Sequence, residues 1–170
     1  INWLPKKTAG VKVDHNSAMT LDTVFACIID KAESLGQLPA LIKQGNKVIE
    51  SGRTFDIFTQ SPNDFQTIQD FIEMYSISLD TRGAFFAEVV RNKYGNVSQI
   101  IPFFNQWSVS VNNDRGRIYY TGATNSGKVI DDSVEILHIK QLTKNGYEGI
   151  TPIQFNAQAI GISLAQEQHL

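Results

Sequence analysis

Residues 61–92 read SPNDFQTIQDFIEMYSISLDTRGAFFAEVVRN, the pattern of a capped amphipathic helix followed directly by a strand. Ser61 can cap the helix, and Asp64 follows three residues later at the spacing of a capping box. Gly83 can end the helix, and Ala84–Arg91 is rich enough in aromatic and β-branched residues to form a strand. We therefore predict that this segment fixes the angle between a helix and a sheet. One apolar stripe of the helix comprises Phe65, Ile68, Phe71, Ile72, Tyr75 and Leu79.

The segment before this helix predicts a second amphipathic helix and less regular structure. Apolar residues at helical spacing predict a helix from about Thr20 to Leu35, and Gly36 can close it. Leu38–Ile42 is apolar enough for a short strand. Gln44–Thr54 is polar and contains glycine, so we expect a surface loop or, alternatively, a short hairpin.

The segment from Ala84 to Ile139 has the alternation and turn residues of β structure. Asn92–Asn96 can turn a hairpin, and the alternation in Trp107–Val111 (WSVSV) predicts a half-buried strand. Thr151 with Gln154 makes a capping box for a final helix. The order predicts an α+β fold with a mostly antiparallel sheet and packed amphipathic helices. Further strands are predicted over Val97–Phe103, Arg117–Thr121, Lys128–Ile130 and Glu135–Lys140.

Length and composition predict one ordinary globular domain. The chain has 170 residues, 42% of them hydrophobic and 19% charged, which is enough to bury a core. We predict an extended, mildly basic arm over residues 1–16 and a single α+β domain over residues 17–170. Because the chain starts at Ile1 and stops at Leu170 inside an apparent helix, we expect a fragment of a longer protein.

Charge and cysteine content exclude several classes of function. The formal net charge is −2 and no basic stripe is present, which argues against tight, sequence-specific DNA binding but not against DNA sliding past. Cys27 is the only cysteine, so an internal disulfide or cysteine zinc site is impossible. We expect Cys27 to be a small core or half-buried thiol. No apolar run is long enough to span a membrane, and we predict no membrane partner.

Residues 122–128, GATNSGK, have the glycine and lysine spacing of a phosphate-binding loop. Val129 occupies the position of the Ser or Thr that would bind magnesium. Such a loop must also open a helix, whereas Val129–Asp132 has the pattern of a short strand and turn. We therefore predict a hairpin turn at Gly122–Lys128 and keep a nucleotide site there as the alternative.

The remaining polar residues do not form a catalytic pattern. His15, His138 and His169 are far apart in sequence, and we expect His138 to be a satisfied structural histidine on a strand. Asp131–Asp132 places two carboxylates on different faces of an extended segment, where turn chemistry explains them. We predict no catalytic, cofactor-binding or metal-binding residue, and no enzymatic activity.

Aromatic residues are concentrated in the β segment and could stack on nucleic acid only if basic residues were interleaved with them. Arg91 and Lys93 are the only basic residues nearby, so we predict packing in the core or at a subunit interface. The aromatic residues concerned are Phe85, Phe86, Phe103, Phe104 and Trp107.

Several segments, in this order, resemble the tailed-bacteriophage (siphophage-type) portal protein family, in the N-terminal or wing part of its chain. The family commonly has an asparagine directly after the glycine of the first segment, where this chain has Ala84. The matching segments are Gly83–Arg91 (GAFFAEVVR), Gly95–Phe103, Trp107–Val111, Arg117–Tyr120 (RIYY), Val134–Ile139 (VEILHI) and Gly149–Ile153 (GITPI).

The resemblance implies a structural subunit of a dodecameric portal ring at one capsid vertex of a phage or prophage. Implied partners are other copies of the subunit, capsid protein, the packaging terminase and head–tail connector proteins. Double-stranded DNA would pass through the channel without sequence specificity during packaging and ejection. The implied location is the virion, and the host bacterial cytoplasm during assembly. The alternatives are a small ligand- or nucleotide-binding α+β domain using Gly122–Lys128, and a tail or minor capsid protein.

Overall fold

A computed structural model describes residues 13–143 and 145–167, and it confirms an α+β fold with antiparallel strand pairs. A short 3₁₀ helix, Gln106–Ser108, precedes β5. The α-helices are α1 (His15–Ala18), α2 (Asp22–Gly36), α3 (Arg53–Thr59), α4 (Ile68–Arg82), α5 (Pro152–Phe155) and α6 (Ala157–Glu167). The strands are β1 (Lys43–Gln44), β2 (Lys47–Val48), β3 (Ala84–Arg91), β4 (Val97–Pro102), β5 (Val109–Asp114), β6 (Arg117–Gly122) and β7 (Ile136–Lys140).

The helices α2 and α4 pack against each other in opposite directions. At one end, a Cβ on Gly36 would lie 3.0 Å from side-chain atoms of Gln69 and Glu73, so the helices approach closely there. Further along the pair, Lys31 Nζ lies 2.7 Å from the buried carboxylate of Asp80. Gly36 is the last residue of α2 and allows this close approach, so it does more than stop the helix.

The predicted start of the long helix at Ser61 is wrong, because α4 begins at Ile68. Thr67 is its cap, and Thr67 and Asp70 bond each other's backbone N–H groups in a capping box. Residues 61–66 form a loop in which the Ser61 hydroxyl donates to the carbonyl of Gln66 at 2.9 Å. This loop is tied to β4 because buried Asn63 donates to the carbonyl of Ile100 at 3.0 Å.

β3 is the central strand of a three-stranded antiparallel sheet in the order β4-β3-β7. Gly83 ends α4 with φ +83°, in the left-handed region that favours glycine, so the predicted helix stop is confirmed. Phe85 and Ala87 pack in the cluster beneath α3 and α4, while Ala84 and Phe86 pack in the cluster beneath β5. Since alternate residues of a strand point to opposite faces, β3 is buried on both sides.

A third apolar cluster joins the first two helices of the described chain to the last two. The helices α1 and α2 meet α5 and α6 there, and the predicted capping box of Thr151 with Gln154 is present. The predicted final helix is divided at Asn156 into α5 and α6. The buried members of this cluster are Ala18, Leu21, Ile28, Ile153, Ile160 and Leu164.

Four other expectations differ from the structure. Leu38–Ile42 is not a strand, and the alternative of a short hairpin is correct because β1 and β2 lie within 43–48. Arg53–Thr59, partly inside the predicted loop, is helical. Lys128–Ile130 makes only an isolated bridge through Val129. Trp107 lies in the 3₁₀ helix before β5, where its indole is half-exposed.

Two expectations about the termini and the thiol can also be compared with the structure. Of the predicted arm, residues 1–12 lie outside the described residues, and His15 and Asn16 belong to α1. Cys27 is exposed on α2, so the expected core or half-buried thiol is wrong. Ile28, on the predicted apolar face of α2, is buried, whereas its neighbour Cys27 lies on the solvent-exposed side of the helix.

Candidate interface surfaces

The segment Gly122–Lys128 is a tight turn and does not open a helix. Thr124 N–H donates to the carbonyl of Lys128 at 2.8 Å, and Gly127 N–H donates back to Thr124 at 2.9 Å. Lys128 Nζ donates to the Ser133 hydroxyl at 2.7 Å. Gly122 is required by packing, because a Cβ there would lie 2.0 Å from the Ser108 carbonyl oxygen. This geometry is that of a hairpin turn.

The carboxylates of Asp131 and Asp132 are both exposed and serve separate contacts. Hydrogen bonds from Ser133 lower the pKa of Asp131, while Asp132 lies 3.4 Å from Arg117. Within residues 13–143 and 145–167, no group of three or more His, Cys, Asp or Glu side chains could hold a metal ion. In the same ranges, no helix is long and apolar enough to cross a membrane.

The aromatic residues of the β segment divide into a buried and an exposed set. Phe85, Phe86 and Phe103 are at most 1% exposed and belong to the core. Phe104 is 65% exposed and meets the edge of half-exposed Phe65, with ring centroids 5.5 Å apart. The predicted core role therefore holds for the first set, whereas the second set lies on the surface.

A groove of about 440 Å³ runs between α4 and the 3₁₀ helix beside these exposed rings. Its walls include Phe104 and Trp107 on one side and the acidic residues Asp70 and Glu73 on the other. Hydrogen bonds from Thr67 lower the pKa of Asp70, so this carboxylate is charged at neutral pH. Carboxylates at the rim repel phosphates, which makes the groove better suited to a protein surface than to nucleic acid.

Arg82, the last residue of α4, lies half-buried between two aromatic rings. Its guanidinium carbon is 4.4 Å from the Phe86 ring centroid and 5.4 Å from that of Trp107, within cation–π range. Its Nη1 and Nη2 donate to the carbonyls of Gln106 and Val109. Burial lowers the pKa of Arg82 to about 10, which leaves the side chain charged at neutral pH.

We expected the hydrogen-bonding groups of His138 to be satisfied, and in the structure this holds for one of its two ring nitrogens. Nδ1 lies 3.3 Å from the Tyr120 hydroxyl, whereas Nε2 is buried without a hydrogen-bond partner among the described residues. The ring stacks on Phe86 with centroids 4.5 Å apart. Burial, with the nearby charges of Lys140 and Arg82, lowers the pKa of His138 to about 4.

Arg82 and His138 both line an open cavity of about 530 Å³ between the sheet, β5 and the start of α5. Sequence reasoning did not single out Arg82. The only signal in the sequence was a charged residue directly before the glycine that ends a helix. The position of Arg82 next to β5 depends on its hydrogen bonds to Gln106 and Val109, which lie 24 and 27 residues later in the chain.

Comparison with known proteins assigns the chain to a family. A family model described as phage portal protein matches residues 22–170. The chain is 29% identical over 161 residues to the portal protein of Enterobacteria phage HK97, covering 91% of this chain and 38% of that protein. It is 31% identical over 97 residues to Protein BeeE of Escherichia coli (strain K12), covering 55% of this chain and 61% of that protein.

Solved structures agree on the fold. The chain aligns with a protein in the neck of a native gene transfer agent particle, computed with C12 symmetry, with a TM-score of 0.71 and 19% identity. That alignment covers 99% of this chain and 45% of the other. The chain therefore spans roughly two-fifths to three-fifths of the length of these relatives. Because the family model matches residues 22–170, the protein belongs to the phage portal protein family.

Proposed function

We propose that this chain is part of a structural subunit of a portal ring at a capsid vertex, through which DNA enters and leaves. The observation that carries the proposal is the family match over residues 22–170 together with a fold shared, over 99% of the chain, with a protein in a gene transfer agent neck computed with C12 symmetry. The chain would form the rigid outer body of the subunit, and its function would be geometric and not catalytic.

A ring of identical subunits requires a heterologous interface, in which two different surfaces of one subunit meet. The structure has exposed apolar residues on separate elements that can supply such surfaces. Phe65 and Phe104 lie beside α4, Tyr119 lies on the β5–β6 hairpin, and Phe155 and Ile162 lie on α5 and α6. Exposed aromatic residues of this kind are enriched in the cores of protein interfaces.

The proposed partners are further copies of the subunit, capsid protein, terminase and head–tail connector proteins. Double-stranded DNA would pass the ring without specific contacts from this part of the chain, consistent with its net charge of −2. The proposed location is the virion, preceded by assembly in the host bacterial cytoplasm.

Negative-stain electron microscopy of the full-length product of this reading frame tests the proposal. We expect rings with a central channel wide enough for duplex DNA. Compact monomers at every protein concentration would contradict it. In parallel, ATP or GTP should leave the melting temperature unchanged, since the Gly122–Lys128 turn lacks the helix that a phosphate site needs.

A further inference from the structure

The guanidinium of Arg82 is partly removed from water without a carboxylate to compensate its charge. Buried arginines are normally paired, because an isolated charge loses hydration that weak contacts do not restore. Among the described residues, Arg82 forms no ion pair, and its acceptors are the neutral carbonyls of Gln106 and Val109. A guanidinium has five N–H donors, so donor capacity remains toward the cavity.

The cavity beside Arg82 can admit an acceptor, because it is open and holds about 530 Å³. Phe86 and Trp107 both lie within cation–π distance of the guanidinium, and the carbonyls of Gln106 and Val109 accept from it, so several contacts restrict its orientation. A carboxylate satisfies a fixed guanidinium with two parallel hydrogen bonds.

The chain's own carboxylate in this cavity, that of Glu148, forms no hydrogen bond or ion pair with Arg82. Glu148 lines the cavity, but its carboxylate accepts from the Asn145 side chain at 2.8 Å. Its backbone N–H also bonds Asn145, so the residue is held in its own turn. In contrast, three exposed carboxylates on α2 form no ion pair with any described residue, namely those of Asp22, Asp30 and Glu33.

We propose that the cavity lined by Arg82, Trp107 and His138 receives an aspartate or glutamate carboxylate from a neighbouring copy of this chain. The inference rests on the proposed ring, because a heterologous interface lets an acidic surface of one copy meet this cavity on the next. The charges are complementary: the cavity holds an uncompensated cation, and other surfaces of the same chain carry uncompensated carboxylates. Occupation would also keep adjacent copies in one orientation.

Gln154→Glu tests the proposal with a minimal change of shape. Gln154 lines the cavity, and its side chain already accepts from the Thr151 N–H in a capping box that glutamate can also form. The new carboxylate would place a negative charge on the cavity wall and repel the incoming one. Gln158→Glu is the matched control, because Gln158 is exposed on α6 outside the cavity. Arg82→Gln, with Arg117→Gln as its exposed control, removes the cation itself.

The assay is ring formation by the full-length subunit over a series of protein concentrations, followed by mass photometry and electron microscopy. We expect Gln154→Glu and Arg82→Gln to raise the concentration needed for half-assembly at least about tenfold, with both controls like the parent. Thermal unfolding of Gln154→Glu should be unchanged or higher, which separates assembly from folding.

Two results would overturn the inference, and they differ in what they mean for the proposed function. Rings formed by the parent and equally by Gln154→Glu would reject the carboxylate contact and leave the portal ring standing. A parent protein that forms no ring at any concentration would reject both. If Arg82→Gln fails to fold, the comparison of Gln154→Glu with Gln158→Glu alone decides between these results.

Discussion

Gly149 and Gly83 are in backbone contact, and neither position leaves room for a side chain. A Cβ built on Gly149 would lie 1.7 Å from the Gly83 carbonyl oxygen, and one on Gly83 would lie 2.8 Å from the Gly149 carbonyl. The same Gly83 carbonyl accepts from the Gln141 N–H at 2.8 Å. This contact joins the end of α4 to the segment that starts α5, so two distant glycines fix how the helices meet the sheet.

We predict that Gly149→Ala lowers the free energy of unfolding by about 3 kcal/mol, because the methyl group overlaps backbone atoms that cannot move aside independently. Urea unfolding followed by circular dichroism measures the effect. Gly146→Ala is the control in the same turn, because nothing lies within 4 Å of its Cβ and only its φ of +87° is unfavourable. A loss of less than about 1 kcal/mol in Gly149→Ala would show that the contact with Gly83 does not matter.

A second prediction concerns Gln106. Its buried side chain forms hydrogen bonds with the backbone of β3 at a point where β4 has already ended. Its amide oxygen accepts from Phe86 N–H at 2.7 Å, and its Nε2 donates to the carbonyls of Phe86 and Phe103. Gln106→Leu leaves buried backbone groups without these partners, so we expect a loss of about 1–3 kcal/mol in unfolding free energy. The exposed Gln158→Leu should change it by less than about 0.5 kcal/mol.

A third prediction concerns acid stability. The His138 pKa is about 4 in the folded protein and about 6.5 when unfolded, so the unfolded chain binds the extra proton first. Stability is therefore fully present above pH 6.5 and falls as the pH drops from 6.5 toward 4, by at most about 3 kcal/mol. Urea titrations at several pH values give this slope.

His138→Phe keeps a ring stacked against Phe86 and removes the titrating group, so it should flatten stability between pH 6.5 and pH 5. The lowered pKa values of Asp70 and Glu135 act below this window, since their unperturbed values are 3.8 and 4.5. The pH dependence assigned to His138 is rejected if the variant and the parent lose stability in parallel from pH 6.5 to pH 5.

A fourth prediction concerns the ion pair between α2 and α4. Asp80 is buried and accepts from Lys31 at 2.7 Å and from the Gln141 amide at 3.1 Å. Lys31→Met leaves this carboxylate with a single neutral donor, and because Lys31 is half-exposed we expect a loss of about 1–2 kcal/mol. Lys128→Met, at the exposed pair with Asp131 3.9 Å away, should lose less than about 0.5 kcal/mol. Thermal unfolding of both variants compares them directly.

Local chemistry explains which parts of the fold could be predicted. The helix end at Gly83 and the strand Ala84–Arg91 were predictable from local sequence. A helix end in the left-handed conformation favours glycine, and a strand buried on both faces is rich in apolar residues. The helix start was not, because Ser61 and Thr67 each precede an aspartate at capping-box spacing. Tertiary contact decided between them, since Asn63 bonds β4 and holds the first candidate in a loop.

The cavity at Arg82 could not be predicted in the same way. Its walls come from α4, β5, β7 and the start of α5, and no sequence pattern specifies that these meet. The one local clue to unusual chemistry was His138 on a short strand, and the expectation that it would be satisfied was half correct. The unsatisfied Nε2 follows from its burial next to Phe86, which is a property of the assembled sheet.

The strand order β4-β3-β7 has a consequence for synthesis of the protein on the ribosome. β4 follows β3 immediately, but β7 comes only after the whole β5–β6 hairpin has been made. Until residues 136–140 leave the exit tunnel, β3 has an open edge beside Phe85 and Phe86, both fully buried in the finished fold. Pairing between segments so distant in sequence forms slowly. The nascent chain thus exposes an unpaired strand edge while residues 92–135 are synthesised, and such an edge can pair with another chain.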